Sequence, residues 1–214
     1  MFFIANSATV RTQNGLPYFS NMTGEFEYEV EGKEKEILLT LPSKGFFEIG
    51  FSAGAGSYDV HVPSGAYDNK INGSGWTLAA EMTTNIVPET IVNPRIAAKA
   101  SYGLKRAKLG KLALGANGTA YNVENRLDIW KTAFSIWIEK SCKNRKLKPS
   151  IGFELSRKGS TLTDLTDGEE TSGRVDEASV FAGLKWVISD YEYISFTGHV
   201  LDEEGFSLSF SHNF

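Results

Sequence analysis

From residue 130 the chain reads Trp-Lys-Thr-Ala-Phe-Ser-Ile-Trp-Ile, with Trp130, Thr132, Phe134, Ile136 and Ile138 on every second position. Side chains alternate across a β-strand with a period of two, so this stretch predicts a strand with one large apolar face. The other face carries Lys131, Ala133, Ser135, Trp137 and Glu139. The pattern recurs along the chain. Ile37, Leu39 and Leu41 alternate in 36–41, Phe47, Ile49 and Phe51 in 46–53, and Trp76, Leu78, Ala80 and Met82 in 75–84. Tyr102 and Leu104 follow in 95–105, Ile151, Phe153 and Leu155 in 150–157, Leu184 and Trp186 in 179–188, and Ile194 and Phe196 in 191–201. Weaker alternation places Phe26, Tyr28 and Val30 on one face of 24–31, Tyr58, Val60 and Val62 on one face of 57–63, and Leu112 and Leu114 in 110–121. With the closing stretch 206–214 this predicts about twelve strands in an antiparallel meander, or about ten if one hairpin is miscounted.

Composition agrees with an all-β chain. Aromatic residues make up 12% and there are 21 glycines, with no apolar run long enough for a transmembrane helix. The net charge of −4 gives no nucleic-acid footprint. The basic stretch Lys140-Ser-Cys-Lys-Asn-Arg-Lys-Leu-Lys148 lacks interleaved aromatics and reads as a solvated turn near anionic headgroups. One cysteine, Cys142, excludes an intramolecular disulfide framework and a multi-cysteine metal site. Ala53-Gly-Ala-Gly-Ser57 has no following lysine or helix, so it is expected as a hairpin end and not a phosphate loop. No cofactor or metal is expected.

What decides between a soluble β-protein and a membrane barrel is the face opposite the apolar one. A soluble sheet covers its outer face with long charged side chains. Here that face is mostly small, with Gly103, Gly152, Gly183, Ser101, Ser135, Ser195, Ser207 and Ser209, and charges are scattered among them. Small groups with isolated opposite charges suit a crowded, hydrated barrel interior, and the apolar face then meets lipid. The fold class expected is all-β, an antiparallel up-and-down transmembrane β-barrel occupying 22–214. Residues 1–21 carry no clear strand and are expected as a periplasmic lead or a plug in the lumen. The interior charges expected by alternation are Glu25, Glu27, Glu29, Glu48, Glu81, Lys99, Lys105, Lys111, Lys131 and Lys185. His199 and His61 are expected on the same inward face.

The chain closes on Phe206-Ser-Leu-Ser-Phe-Ser-His-Asn-Phe214. A last strand alternating apolar residues and closing on Phe resembles those of bacterial outer-membrane β-barrel proteins. The resemblance implies that Phe206, Leu208, Phe210 and Phe214 are read by the barrel-assembly machinery and then face lipid. It also implies an outer-membrane location, with a signal peptide already removed, among phospholipid and lipopolysaccharide. Length and strand number are similar to those of the small porin-type channels, which implies passive transport of small hydrophilic solutes. A closed anchoring or adhesive barrel, an outer-membrane hydrolase and a soluble barrel binding an apolar ligand are the other readings. The hydrolase needs His199 or His61 beside a serine or carboxylate at a fixed place; the chain reads as a non-enzyme. With Phe214 at the periplasmic end, Pro42–Gly45 and Ser189-Asp190 are periplasmic turns and 158–177 is the longest external connection. The last strand is expected to pair with the stretch 26–30, so that no backbone edge faces lipid.

Overall fold

A computed structural model describes residues 7–15, 18–20, 27–41, 47–64, 67–114, 119–142, 146–166, 168–201 and 205–213. Side chains are described for 30–41, 47–61, 70–110, 124–142, 146–166, 168–201 and 205–213. The elements are all strands. They are β1 (Ser7–Gly15), β2 (Tyr18–Ser20), β3 (Glu27–Leu41), β4 (Phe47–Ser64), β5 (Tyr67–Val87), β6 (Arg95–Leu114), β7 (Thr119–Glu139), β8 (Leu147–Asp164), β9 (Glu170–Val187), β10 (Glu192–Leu201) and β11 (Gly205–Asn213).

From β3 to β11 each strand pairs antiparallel with the next in sequence. β1 then joins the two ends. Val10 is opposite Phe210 of β11 on one side and opposite Ile37 of β3 on the other. β2 continues the register of β1 on β3, with Gly15 opposite Gly32 and Tyr18 opposite Glu29. β1 with β2 thus acts as one stave, and with the nine strands β3 to β11 it closes an up-and-down barrel of ten among the described residues. Ten is the smaller of the two expected counts, but it is reached differently: 27–31 with 36–41, and 47–53 with 57–63, are single strands and 110–121 straddles the β6–β7 connection, which leaves nine, and β1 adds the tenth.

Two expectations change with this closure. Ser7–Gly15 stands in the wall, neither ahead of the barrel nor inside it. And β11 pairs with β1, not with the start of β3, so Ser207, Ser209 and Ser211 stand opposite Gln13, Arg11 and Thr9.

The strands are unequal. β5 and β7 have 21 residues each, whereas β10 and β11 have 10 and 9. Roughly 9–11 residues suffice to cross a bilayer as a tilted strand. The surface shows which half does so. Near the end that carries the termini, the outside is apolar. Ile37, Phe51, Leu78, Leu104, Phe134, Phe153, Leu184, Phe196 and Leu208 are all exposed there. Toward the other end the outside turns polar, with Lys33, Lys35, Ser74, Arg106, Lys108, Arg157 and Arg174 exposed.

The inside inverts in the opposite sense. Val30, Tyr58, Val60, Ile71, Ala107, Leu109, Leu127 and Ile129 pack into one buried cluster, with Leu162 and Val175 against it. This overturns the lipid-facing expectation for Val30, Tyr58 and Val60. Their alternation is real, but the apolar medium they meet is the barrel's own interior. His61 shifts with them: it shares the parity of exposed Phe47, Ile49 and Phe51, so it lies on the outer face of β4.

At the end with the termini the connection 88–94 is lashed to Lys140 and Ser141, which follow β7. Lys140 Nζ donates to the carbonyls of Thr90, Ile91 and Asn93 at 2.8, 3.0 and 3.3 Å. Glu89 accepts from the Ser141 N–H at 2.7 Å and its hydroxyl at 2.9 Å.

The closure predicts that Val10→Pro, which deletes one N–H from a stave bonded on both sides, destabilises the barrel by on the order of several kcal/mol. The check is the urea midpoint and loss of the compact, heat-sensitive gel species. The Ser141 N–H, chiefly, holds the Glu89 carboxyl below the usual carboxylate range. A depressed carboxylate stabilises above its unfolded pKa, and the contribution is lost as pH falls through the lowered folded value. The Ser141 amide resonance should therefore titrate below the ordinary carboxylate range, and Glu89→Gln should abolish that step.

Candidate functional site

The candidate site is the barrel interior. A cavity of about 820 Å³ runs from the rim at the terminal end, where Arg95, Glu139 and Asn213 stand, up to Val30, Gly32 and Tyr58 beneath the apolar cluster. Strand parity builds it. Inward positions are even on β3, β4 and β8 and odd on β5, β6, β7, β9, β10 and β11, as the lining residues show.

Its walls differ. The β3–β9 wall carries carboxylates and cations in pairs. Lys105 Nζ lies 2.5 Å from Glu34 Oε1, Lys99 lies 3.8 Å from Glu81, and Arg95 lies 3.4 Å from Glu139. Lys131 and Lys158 face each other directly across β7 and β8, which alone would be repulsive. Each is taken by a carboxylate on the next strand over: Lys131 by Glu154 at 3.0 Å and Lys158 by Glu177 at 2.6 Å. Hydroxyls complete the set, with Ser135 donating to Glu154 at 2.7 Å and Thr77 to Glu36 at 3.2 Å. Glycine makes room for these side chains. A Cβ at Gly54 would collide with the Lys35 carbonyl and stand 2.8 Å from Glu36 Cγ, so β4 runs close beneath the acidic residues of β3.

The β10–β11 wall is lined by small hydroxyl side chains. Ser195, Thr197, Ser207, Ser209 and Ser211 line the cavity, and the Ser195 and Ser209 hydroxyls lie 2.5 Å apart. Lys185 stands at its edge, 4.3 Å from the centre of the Tyr193 ring.

Of the interior charges expected from the sequence, Glu48, Glu81, Lys99, Lys105, Lys131, Lys185 and His199 line the cavity. Glu25 lies outside the described residues, as does Phe214, and no side chain is described for Glu27, Glu29 or Lys111. The acidic residues that β3 sends inward are Glu34 and Glu36, of the opposite parity to the expected stripe. Phe206, Leu208 and Phe210 are exposed on the outer face of β11. Sequence reasoning missed Glu34, Glu36, Arg95, Lys158 and Glu177. The last two lie within 158–177, which had been assigned to a connection, although the alternation of Gly173, Val175 and Glu177 continues there.

A hydrolytic centre would need an accessible nucleophile. His199 Nδ1 is 3.4 Å from Ser179 Oγ, but Ser179 is 2% exposed and the imidazole packs on Phe181 at 5.4 Å between centroids. Among the described residues no cluster of His, Cys, Asp and Glu has the make-up of a metal site.

No family model and no curated protein matches the sequence. Solved structures do match. The outer membrane protease OmpT from Escherichia coli aligns with a TM-score of 0.50 at 8% identity, over 100% of this chain and 99% of that one. The translocator domain of the autotransporter NalP from Neisseria meningitidis aligns at 0.48 and 9% identity, over 99% and 89%. The outer membrane protein OprG from Pseudomonas aeruginosa aligns at 0.45 and 9%, over 98% and 97%. The fold is that of the bacterial outer-membrane β-barrels.

Buried pairs set the cost of altering the wall. Lys158 and Glu177 side chains are 5% and 4% exposed. Lys158→Met should cost about 3–5 kcal/mol by stranding Glu177, and Lys158→Met with Glu177→Leu should recover most of it. Urea unfolding in lipid vesicles measures the cycle.

Proposed function

We propose that the protein stands in a bacterial outer membrane as a channel for small hydrophilic solutes, closed at its apolar cluster in the conformation described. The carrying observation is the polar cavity: an anchoring barrel needs no hydrated space of about 820 Å³ inside its wall. The exposed apolar band is the lipid-facing surface, and we take the end at Ser7 and Asn213 as the periplasmic one. The polar upper half of β3 to β9 then stands outside the hydrocarbon. Solutes enter along the hydroxyl wall, because the opposite wall's charges are engaged with one another. We assign the barrel no catalytic role: Ser179, the serine nearest His199, is out of reach of a substrate.

One observation favours a second reading, a non-conducting barrel that anchors or displays its outer half. Val60, Leu109 and Leu127 are at most 1% exposed, so water is excluded at their level.

Planar-bilayer recording separates the two. On the channel reading the wild type shows brief unitary openings, and Leu109→Ser with Leu127→Ser raises the open fraction about tenfold by wetting the constriction. Silence from both proteins, with folding confirmed by gel mobility, would leave the non-conducting barrel as the answer.

A further inference from the structure

The outer surface of β6 to β9 changes character where the apolar band ends. Trp76 is opposite Arg106, and Arg106 is opposite Asp128. One row nearer the termini, Leu104 is opposite Trp130, Trp130 opposite Gly159, and Gly159 opposite Arg174. Trp130 lies flat over the glycine, where a Cβ would collide with its indole. Tryptophans at this level are what a membrane interface selects. The guanidinium groups beside them are organised in two triads. Asp128 is held by Arg106 Nε at 2.5 Å and Arg126 Nε at 2.9 Å. Asp176 is held by Arg157 through Nε at 2.6 Å and Nη2 at 2.9 Å, with Arg174 Nε at 3.9 Å.

Stability does not account for this arrangement. The four arginine side chains are 36–50% exposed, and ion pairs that open to solvent contribute little. Each aspartate serves two arginines, so each triad keeps a surplus positive charge, and exposed Lys108, opposite Arg126, adds another. A guanidinium carries five N–H donors; Arg106 spends one of them on Asp128 and Arg157 two on Asp176. For Arg106 and Arg157 the hydrogen bond to aspartate fixes the plane of the fork and leaves donors to spare, while Arg126 and Arg174 meet the aspartates as ion pairs. Pre-set forks of this kind match the paired oxygens of a phosphate. Farther from the band, exposed Glu124, Glu169 and Glu170 repel anions arriving from solution, which confines the attraction to the headgroup level.

We propose that the outer face of β6 to β9 is a docking site for a phosphate-bearing lipid headgroup, gripped by Arg106, Arg126, Arg157 and Arg174 with Trp130 against its acyl boundary. The site rests on the membrane placement of the barrel and not on its conducting anything, so a silent bilayer recording leaves it intact.

The test places the full-length protein in phosphatidylcholine nanodiscs containing bisphosphorylated lipid A, followed by native mass spectrometry of the released barrel. Wild type should carry lipid A adducts and none of the dephosphorylated lipid. Arg106→Gln, Arg126→Gln, Arg157→Gln and Arg174→Gln together should lower the adduct at least about tenfold, whereas Lys33→Gln with Lys35→Gln on β3 should not. If the fourfold variant fails the gel-mobility check for folding, Arg157→Gln with Arg174→Gln alone should still lower the adduct severalfold. Equal adducts in the arginine variants, or equal binding of dephosphorylated lipid, would overturn the site. Displacement of lipid A by millimolar inorganic phosphate would also overturn it, by making the ligand a free anion.

Discussion

A backbone edge cannot be left open in hydrocarbon, because each unpaired N–H or C=O there costs several kcal/mol and no water can replace the partner. Everything else in this molecule depends on how that edge is removed. β3 and β11 do not meet. β1 is wedged between them, opposite Val10's two partners Ile37 and Phe210, and its ladder is complete on both sides. A strand held in this way needs little apolar content of its own, since backbone bonding on both flanks fixes it. That is why Ser7–Gly15 can close a membrane barrel with Ala8 and Val10 as its aliphatic residues.

Closure fixes parity, and parity then meets two solvents along the same strand. On β4, Phe47, Ile49 and Phe51 face outward near the termini, while Tyr58 and Val60 face inward farther up. The register between β3 and β4 has no break, so the chain does not turn over; the side chains exchange chemistry instead. In hydrocarbon the outside must be apolar and the interior satisfies the polar groups. Beyond it the outside meets water, and the apolar groups collapse inward as they would in a soluble barrel. The strands of 18–21 residues, about twice what a bilayer needs, are this dual arrangement expressed in length.

Much of this was legible in the residues. Alternation located the outer face wherever lipid covers it, from Ile37 to Phe210, and put Lys99, Lys105, Lys131 and Glu81 on the lumen. It failed in the upper half for one physical reason: period two assigns residues to two faces but does not say which medium either face meets. Reading Val30, Tyr58 and Val60 as lipid-facing carried His61 inward with them and offset the acidic stripe from Glu34 and Glu36. β1 was missed because backbone pairing leaves no mark in composition. Lys158 and Glu177 were missed because a polar strand beyond the membrane looks like a loop.

The lumen's charge therefore does not act as a fixed field. Lys131 with Glu154 and Lys158 with Glu177 each neutralise a neighbour on the adjacent strand, and Lys105 on β6 reaches Glu34 on β3. Such pairs stiffen the β3–β9 wall, since moving either partner strands a charge of low exposure. The β10–β11 wall has no such constraint: its lumen face is mainly serine and threonine hydroxyls, which can exchange hydrogen bonds with water or with a solute at small cost. These strands are also short, with 10 and 9 residues, and neither contributes a residue to the apolar cluster. The softer wall and the hydroxyl-lined side of the cavity thus coincide. On the proposed channel reading, the motion that wets the apolar cluster is a shift of β10 and β11, since the wall opposite them would have to break ion pairs.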